Sequence, residues 1–182
     1  EINIGQNTHI HYEGGMWFAC LYNASLSLYG APWYSTDGET WTSRVSGVNV
    51  NLRKVIYAEG KFVAVGYSGP ILESEDAITW ENLDSGVSVD LNNICYLPDS
   101  ELFYIVGNSG TVLKGDKNIG FEKKNYNITQ DLLAVCEGDT IIQNYNFKYI
   151  VFGGGSQTDN RILGELLNSY FYKGEDFSVS EA

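Results

Sequence analysis

The chain has 182 residues, with 11 Lys plus Arg against 23 Asp plus Glu for a formal charge of −12, and it is 43% apolar and 14% aromatic with three prolines. That composition excludes a generally disordered chain, and the charge repels phosphate backbones and anionic headgroups, so nucleic acid is not an expected partner. The longest apolar runs, Phe62 to Gly66 and Leu102 to Gly107, fall far short of the roughly 20 residues of a membrane helix, so a soluble chain without membrane insertion is expected.

Taken in chain order, Ile2 and Ile4 alternate with polar residues and read as a short strand. His9-Ile-His11 places two imidazoles on one strand face, where a pair is a weak candidate for a metal site; a half-exposed strand face is the favoured reading, because no further ligand is evident. Tyr12 to Ala19 reads as a strand pair. An apolar insertion, Asn23 to Trp33, follows, in which Tyr29 and Trp33 are candidate contact residues. Ser35-Thr-Asp-Gly-Glu-Thr-Trp41 is a turn ending in an aromatic residue. The next unit parses into strands Leu52–Ala58, Lys61–Gly66, Pro70–Ser74 and Ile78–Leu83.

These units repeat. Leu52 to Tyr57 recurs as Leu91 to Tyr96, 39 residues on, and as Leu132 to Glu137 after a further 41. The second strand recurs as Lys61 to Gly66, Leu102 to Gly107 and Lys148 to Gly153. The turn signature recurs as Ser74-Glu-Asp-Ala-Ile-Thr-Trp80 and decays to Gly115 through Phe121, with its aromatic position kept. Tyr12 to Ala19 matches Tyr57 to Ala64. Four repeats result, at about 7–47, 48–86, 87–128 and 129–182, within one domain or segment spanning 1–182. Repeats of about 40 residues with four short strands are the signature of β-propeller blades. The expected fold is therefore all-β, a β-propeller of four blade-like repeats of four antiparallel strands. The unequal repeats, the missing initial Met and the absence of a tail favour an arc of a larger propeller over a closed ring. Trp41, Trp80 and Phe121 are expected to wedge between blades.

The pattern Ser-x-Asp-x-x-x-Trp, at Ser35, Asp37 and Trp41 and again at Ser74, Asp76 and Trp80, resembles a shortened form of the Asp-box of sialidase-like, or BNR-repeat, propellers. The resemblance implies a structural turn in which hydroxyl and carboxylate accept backbone amides while the ring plugs the blade, and it carries no activity. Together with the Tyr-x-x-Gly-x-Phe-Val-Ala-Val-Gly strand pair, the chain also resembles propeller repeats of bacteriophage tail, baseplate and surface proteins and of bacterial surface proteins. That implies a virion or an extracellular surface as its location.

Catalysis is not expected. A sialidase needs a cluster of three arginines, and the three present, Arg44, Arg53 and Arg161, fall on an outermost strand end, an innermost strand and a loop insertion. Paired carboxylates for glycoside hydrolysis are permitted by the abundance of acidic residues, without a motif to single out a pair. Gly153-Gly-Gly-Ser156 lacks the Lys and helix entry of a phosphate loop. Cys20, Cys95 and Cys136 are odd in number and lack Cys-x-x-Cys spacing, so free thiols are expected. No cofactor is expected. A second insertion, Gly153 to Ser169, carries Leu163 and Leu166 and matches the first in placement, which suggests a contact surface. The expected function is a non-catalytic structural and interaction module presenting a face to a protein or glycan partner, as a homo-oligomer or within a larger assembly. A carbohydrate-binding lectin propeller is the alternative, and a glycosidase ranks below it.

Overall fold

The computed structural model describes residues 9–13, 15–20, 31–116, 120–142, 145–154 and 161–166, with the side chains of 137–149 and 161–166 outside that description. The described residues form strands β1 (His9–Glu13), β2 (Met16–Cys20), β3 (Pro32–Ser35), β4 (Thr42–Ser43), β5 (Leu52–Ala58), β6 (Lys61–Gly66), β7 (Ile71–Ser74), β8 (Glu81–Leu83), β9 (Leu91–Leu97), β10 (Leu102–Gly107), β11 (Val112–Asp116), β12 (Gly120–Lys124), β13 (Leu132–Ile142), β14 (Tyr145–Gly154) and β15 (Arg161–Leu166). They pair antiparallel, each with its neighbour in sequence, into four sheets: β1–β4, β5–β8, β9–β12 and β13–β15. The protein is all-β.

Three apolar clusters hold successive sheets face to face. Phe18 and Cys20 of the first sheet meet Val55, Phe62, Ala64 and Leu72 of the second. Val63, Val65 and Ile71 of the second meet Ile94, Phe103 and Ile105 of the third. Tyr104, Val106 and Val112 of the third meet Leu132, Val135, Ile150 and Phe152 of the fourth. Alternate residues of β6 and β10 therefore enter different clusters, which is why these strands are continuous apolar runs instead of alternating ones.

Between the first strands of successive sheets, polar groups repeat at the sequence period. Lys54 Nζ donates to Asn93 Oδ1 at 2.6 Å, Asn93 Nδ2 to the Leu133 carbonyl at 3.1 Å and Asn92 Nδ2 to the Leu132 carbonyl at 2.7 Å. A bulge in each first strand, at Arg53, Asn92 and Leu133, opens one extra residue toward the following sheet.

Several expectations change. Ile78 to Trp80 are not the start of a strand, because the amides of Ile78 and Thr79 donate to Asp76, and β8 begins only at Glu81. In the last repeat the second strand is displaced by one residue. Gly154, not Gly153, pairs with Leu132 as Gly66 pairs with Leu52 and Gly107 with Leu91. A slip of one residue exchanges the two faces of a strand, and the corrected register is the one that turns Ile150 and Phe152 into the core. The segment read as a loop insertion holding Leu163 and Leu166 is β15, in register with Phe152 and Tyr149. Its apolar residues mark a strand, so Arg161 also begins a strand instead of lying in a loop. Trp33, placed in the first insertion, belongs to β3, paired with Ala19 and Ser43. The last sheet shows three strands among the described residues. Tyr29, Ile2 and Ile4 lie outside the described residues, as do 21–30 and 167–182.

Candidate functional site

The two Ser-x-Asp-x-x-x-Trp turns share one geometry. Ser35 Oγ accepts the Gly38 amide at 2.8 Å and donates to Asp37 Oδ1 at 2.9 Å. That oxygen also accepts the amides of Glu39 at 2.8 Å and Thr40 at 2.7 Å. In the second copy Asp76 Oδ1 accepts Ile78 at 2.8 Å, Thr79 at 2.7 Å and the Ser74 hydroxyl at 3.0 Å. Each indole closes its turn, Trp41 Nε1 on the Gly38 carbonyl and Trp80 Nε1 on the Ala77 carbonyl, both at 3.2 Å. The amides hold the Asp76 carboxyl down to about 2 and the Asp37 carboxyl lower still. These oxygens are occupied by backbone, as in any Asx turn. The third copy lacks the Ser and Asp, and Phe121 alone persists, edge-on to Phe103 at 6.4 Å.

Trp80 and Phe121 each pack against the cluster formed with the preceding sheet. Trp80 remains half-buried, so it caps the edge of the cluster and does not fill its centre. The corresponding side of the first sheet has no described sheet before it, and the strand register shows what it presents. Ile10 pairs with Ala19, Tyr12 with Trp17 and Ala19 with Trp33, so these side chains share one face, opposite to Phe18 and Tyr34. Trp41 joins them, because the next residue, Thr42, pairs with Tyr34 on the other face. The Tyr12 and Trp17 rings lie 4.6 Å apart, and Trp17 rests on the Asp37 turn, its Nε1 3.4 Å from where a Cβ on Gly38 would sit. Ile10 and Trp17 are 45% and 37% exposed, whereas their counterparts Val55 and Phe62 in the second sheet are 2% and 3% exposed; Tyr12 and its counterpart Tyr57 are both exposed. An aromatic sheet face carrying three of the four tryptophans, Trp33 and Trp41 partly buried and Trp17 exposed, thus has no covering sheet among the described residues. Sequence reasoning placed Trp41 among the wedges, Trp33 in an insertion and Tyr12 and Trp17 in a strand pair matched to Tyr57–Ala64, and did not gather them on one face.

The remaining candidates resolve into local structure. His9 and His11 point to the other face of β1, toward β5, where His9 Nδ1 accepts the Val55 amide at 3.5 Å. Burial, aided by the Lys54 ammonium, lowers His9 to about 4, and His11 is lowered chiefly by burial. A cation beside two desolvated imidazoles opposes metal binding, and among the described residues no group of three His, Cys, Asp or Glu is assembled. Arg44 stacks on Tyr34 at 4.5 Å and Arg53 on Tyr67 at 4.1 Å, with Arg53 also 3.5 Å from Asp90. Arg44 is engaged on its own sheet and Arg53 between its own sheet and the entry to the third, so the two do not converge, and the side chain of Arg161 lies outside the described residues. Cys20, Cys95 and Cys136 are not joined by disulfides to one another, and burial pushes Cys20 up to about 12. A cleft of about 210 Å³ between the second and third sheets is lined by Glu59, Lys61, Glu73 and Phe103 among others. Ligand pockets usually exceed about 300 Å³, and here Lys61 pairs with Glu73 at 3.1 Å while Glu59 accepts the Tyr96 hydroxyl.

A second repeating device escaped sequence reading. Asp90 Oδ1 accepts the Ser68 amide at 3.0 Å, and Asp131 Oδ1 accepts Ser109 at 2.8 Å. Each carboxylate thereby hooks the loop after the second strand of the preceding sheet. The signal was Asx-Leu at 51–52, 90–91 and 131–132, in step with the repeat. Among the described residues no helix is long and apolar enough to cross a membrane. Comparison with protein-family models, with curated proteins and with solved structures finds no match, so the functional reading rests on this geometry.

Proposed function

We propose that the four sheets are blades of a β-propeller arc and that the chain is a non-catalytic structural and interaction module presenting a face to a protein or glycan partner. The observation that carries this reading is the first-sheet face of Ile10, Tyr12, Trp17, Trp33 and Trp41, on which Ile10, Trp17 and Trp33 are left accessible where the second sheet buries Val55, Phe62 and Leu72 against a neighbour. Monomeric proteins seldom leave so continuous an apolar patch uncovered unless something binds it. The Ser-x-Asp-x-x-x-Trp turns support the blade reading, since their polar groups are spent on backbone amides. Placement in a phage tail-like particle or on a bacterial surface follows from the resemblance of the repeats alone.

The aromatic character of the face favours one alternative, a lectin, because indole and phenol faces suit sugar rings. A glycan array paired with a hydrolysis assay on cell-wall saccharides separates the readings. Binding without turnover that Trp17→Ala abolishes selects the lectin, turnover selects a glycosidase, and silence on both with retained protein contacts selects the structural module.

A further inference from the structure

We propose that the open face of the first sheet docks the outward face of the last sheet of a second copy of this chain, head to tail. The inference deepens the reading of the chain as an interaction module and names its partner. Each internal junction joins one kind of surface to another. The side of a sheet that faces the following sheet contributes the bulged residue of its first strand and alternate residues of its first two strands: Arg53 and Ile56 in the second sheet, Asn92, Cys95 and Tyr104 in the third. The receiving side contributes Val55 and Phe62, or Ile94 and Phe103.

Among the described residues, one surface of each kind is left uncovered. The receiving side of the first sheet exposes Ile10, Tyr12 and Trp17. On the fourth sheet, Leu133 occupies the bulge held by Arg53 and Asn92 and is 53% exposed. Cys136, the counterpart of Ile56 and Cys95, is exposed, and Val151, the counterpart of the fully buried Tyr104, is half-buried. Both surfaces are apolar, and joining them across two copies continues an interface already formed three times within the chain. Such a contact is heterologous, so repetition yields a ring or a filament.

The test uses the whole 182-residue chain. Sedimentation velocity should show the wild-type mass rising with concentration. Trp17→Glu and Leu133→Glu should each be monomeric with an unchanged far-ultraviolet spectrum, and an equimolar mixture of the two should recover a one-to-one dimer, since one variant keeps the outward face and the other the receiving face. Tyr12→Glu replaces Trp17→Glu if the latter unfolds. Association that survives Trp17→Glu, or that Leu133→Glu leaves intact, overturns the head-to-tail pairing; the latter result points to two first sheets meeting symmetrically. A wild-type monomer throughout overturns it as well, and acrylamide quenching then tells whether the tryptophans are open to a different partner or shielded by the chain itself. Glycan binding by such a monomer leaves the interaction-module reading standing, whereas saccharide turnover removes that reading.

Discussion

At the scale of single residues, glycine and aspartate do the work that the repeat signature records. A Cβ on Gly66, Gly107 or Gly154 would stand 2.2, 2.2 or 2.1 Å from the backbone carbonyl oxygen of Asn51, Asp90 or Asp131. The second strand of each sheet can lie against the entry to the first only without a side chain there, since the clashing atom is backbone and cannot swing away. Gly154→Ala should therefore destabilise by about 3 kcal/mol, the upper part of the overpacking range. Gly153→Ala, whose Cβ would meet only Ala134 Cβ at 3.8 Å, should change stability by less than about 1 kcal/mol. Chemical denaturation of the two variants checks the register, and equal losses would contradict it. For Asp76 the folded carboxyl at about 2 lies below its ordinary value, so the unfolded chain binds the proton first. Its contribution is complete above about pH 4 and disappears as pH falls toward 2. Asp76→Asn should accordingly lower the melting temperature at neutral pH and flatten its decline between pH 4 and 2.

At the scale of elements, β1 shows how a strand can look functional in sequence and be structural in place. Period-two alternation correctly puts His9 and His11 on one face, but sequence does not say that this face packs on β5 beside Lys54. His9 is depressed to about 4 from an ordinary value near 6.5 because protonation would charge a desolvated ring. The unfolded state takes up that proton first, so stability should fall as pH drops from about 6.5 to about 4, and His9→Gln should reduce that slope in pH-dependent melting curves. The strands of the second sheet were legible to within a residue at β5, β6 and β7, where apolar runs end in Gly or a Ser-Gly turn. The last repeat was not, because Gly153-Gly154-Gly155 offers three candidates for the closing glycine and apolar pattern alone does not choose between them. Trp80 was legible as a residue at a junction between sheets. Half-buried at the edge of its cluster, it should cost about 2 kcal/mol on replacement by Ala, below the roughly 3–5 kcal/mol of a core aromatic.

At the scale of the molecule, each sheet draws its core from its immediate neighbours, and no one cluster joins all four. Energetics in such a stack approach a sum of sheet and junction contributions. Leu72 belongs to the junction of the first and second sheets and Leu132 to that of the third and fourth, both almost wholly buried. Replacement of either by Ala should cost about 2–5 kcal/mol, and the double variant should lose the sum to within about 0.5 kcal/mol, because no residue contacts both sites. Leu72→Ala with Phe62→Ala, by contrast, empties one shared cluster and should depart from additivity. Amide exchange supplies the spatial counterpart. In β6 and β10 every residue from 62 to 66 and from 103 to 107 is buried, with alternate side chains held by the sheets on either side. Their amides open only when both junctions open, so they should exchange last, while β1, buried on one side only, should exchange earlier. If all four sheets exchanged at one rate, and if Leu72 and Leu132 proved coupled, the junctions would be acting as a single core and the stack would unfold as one unit.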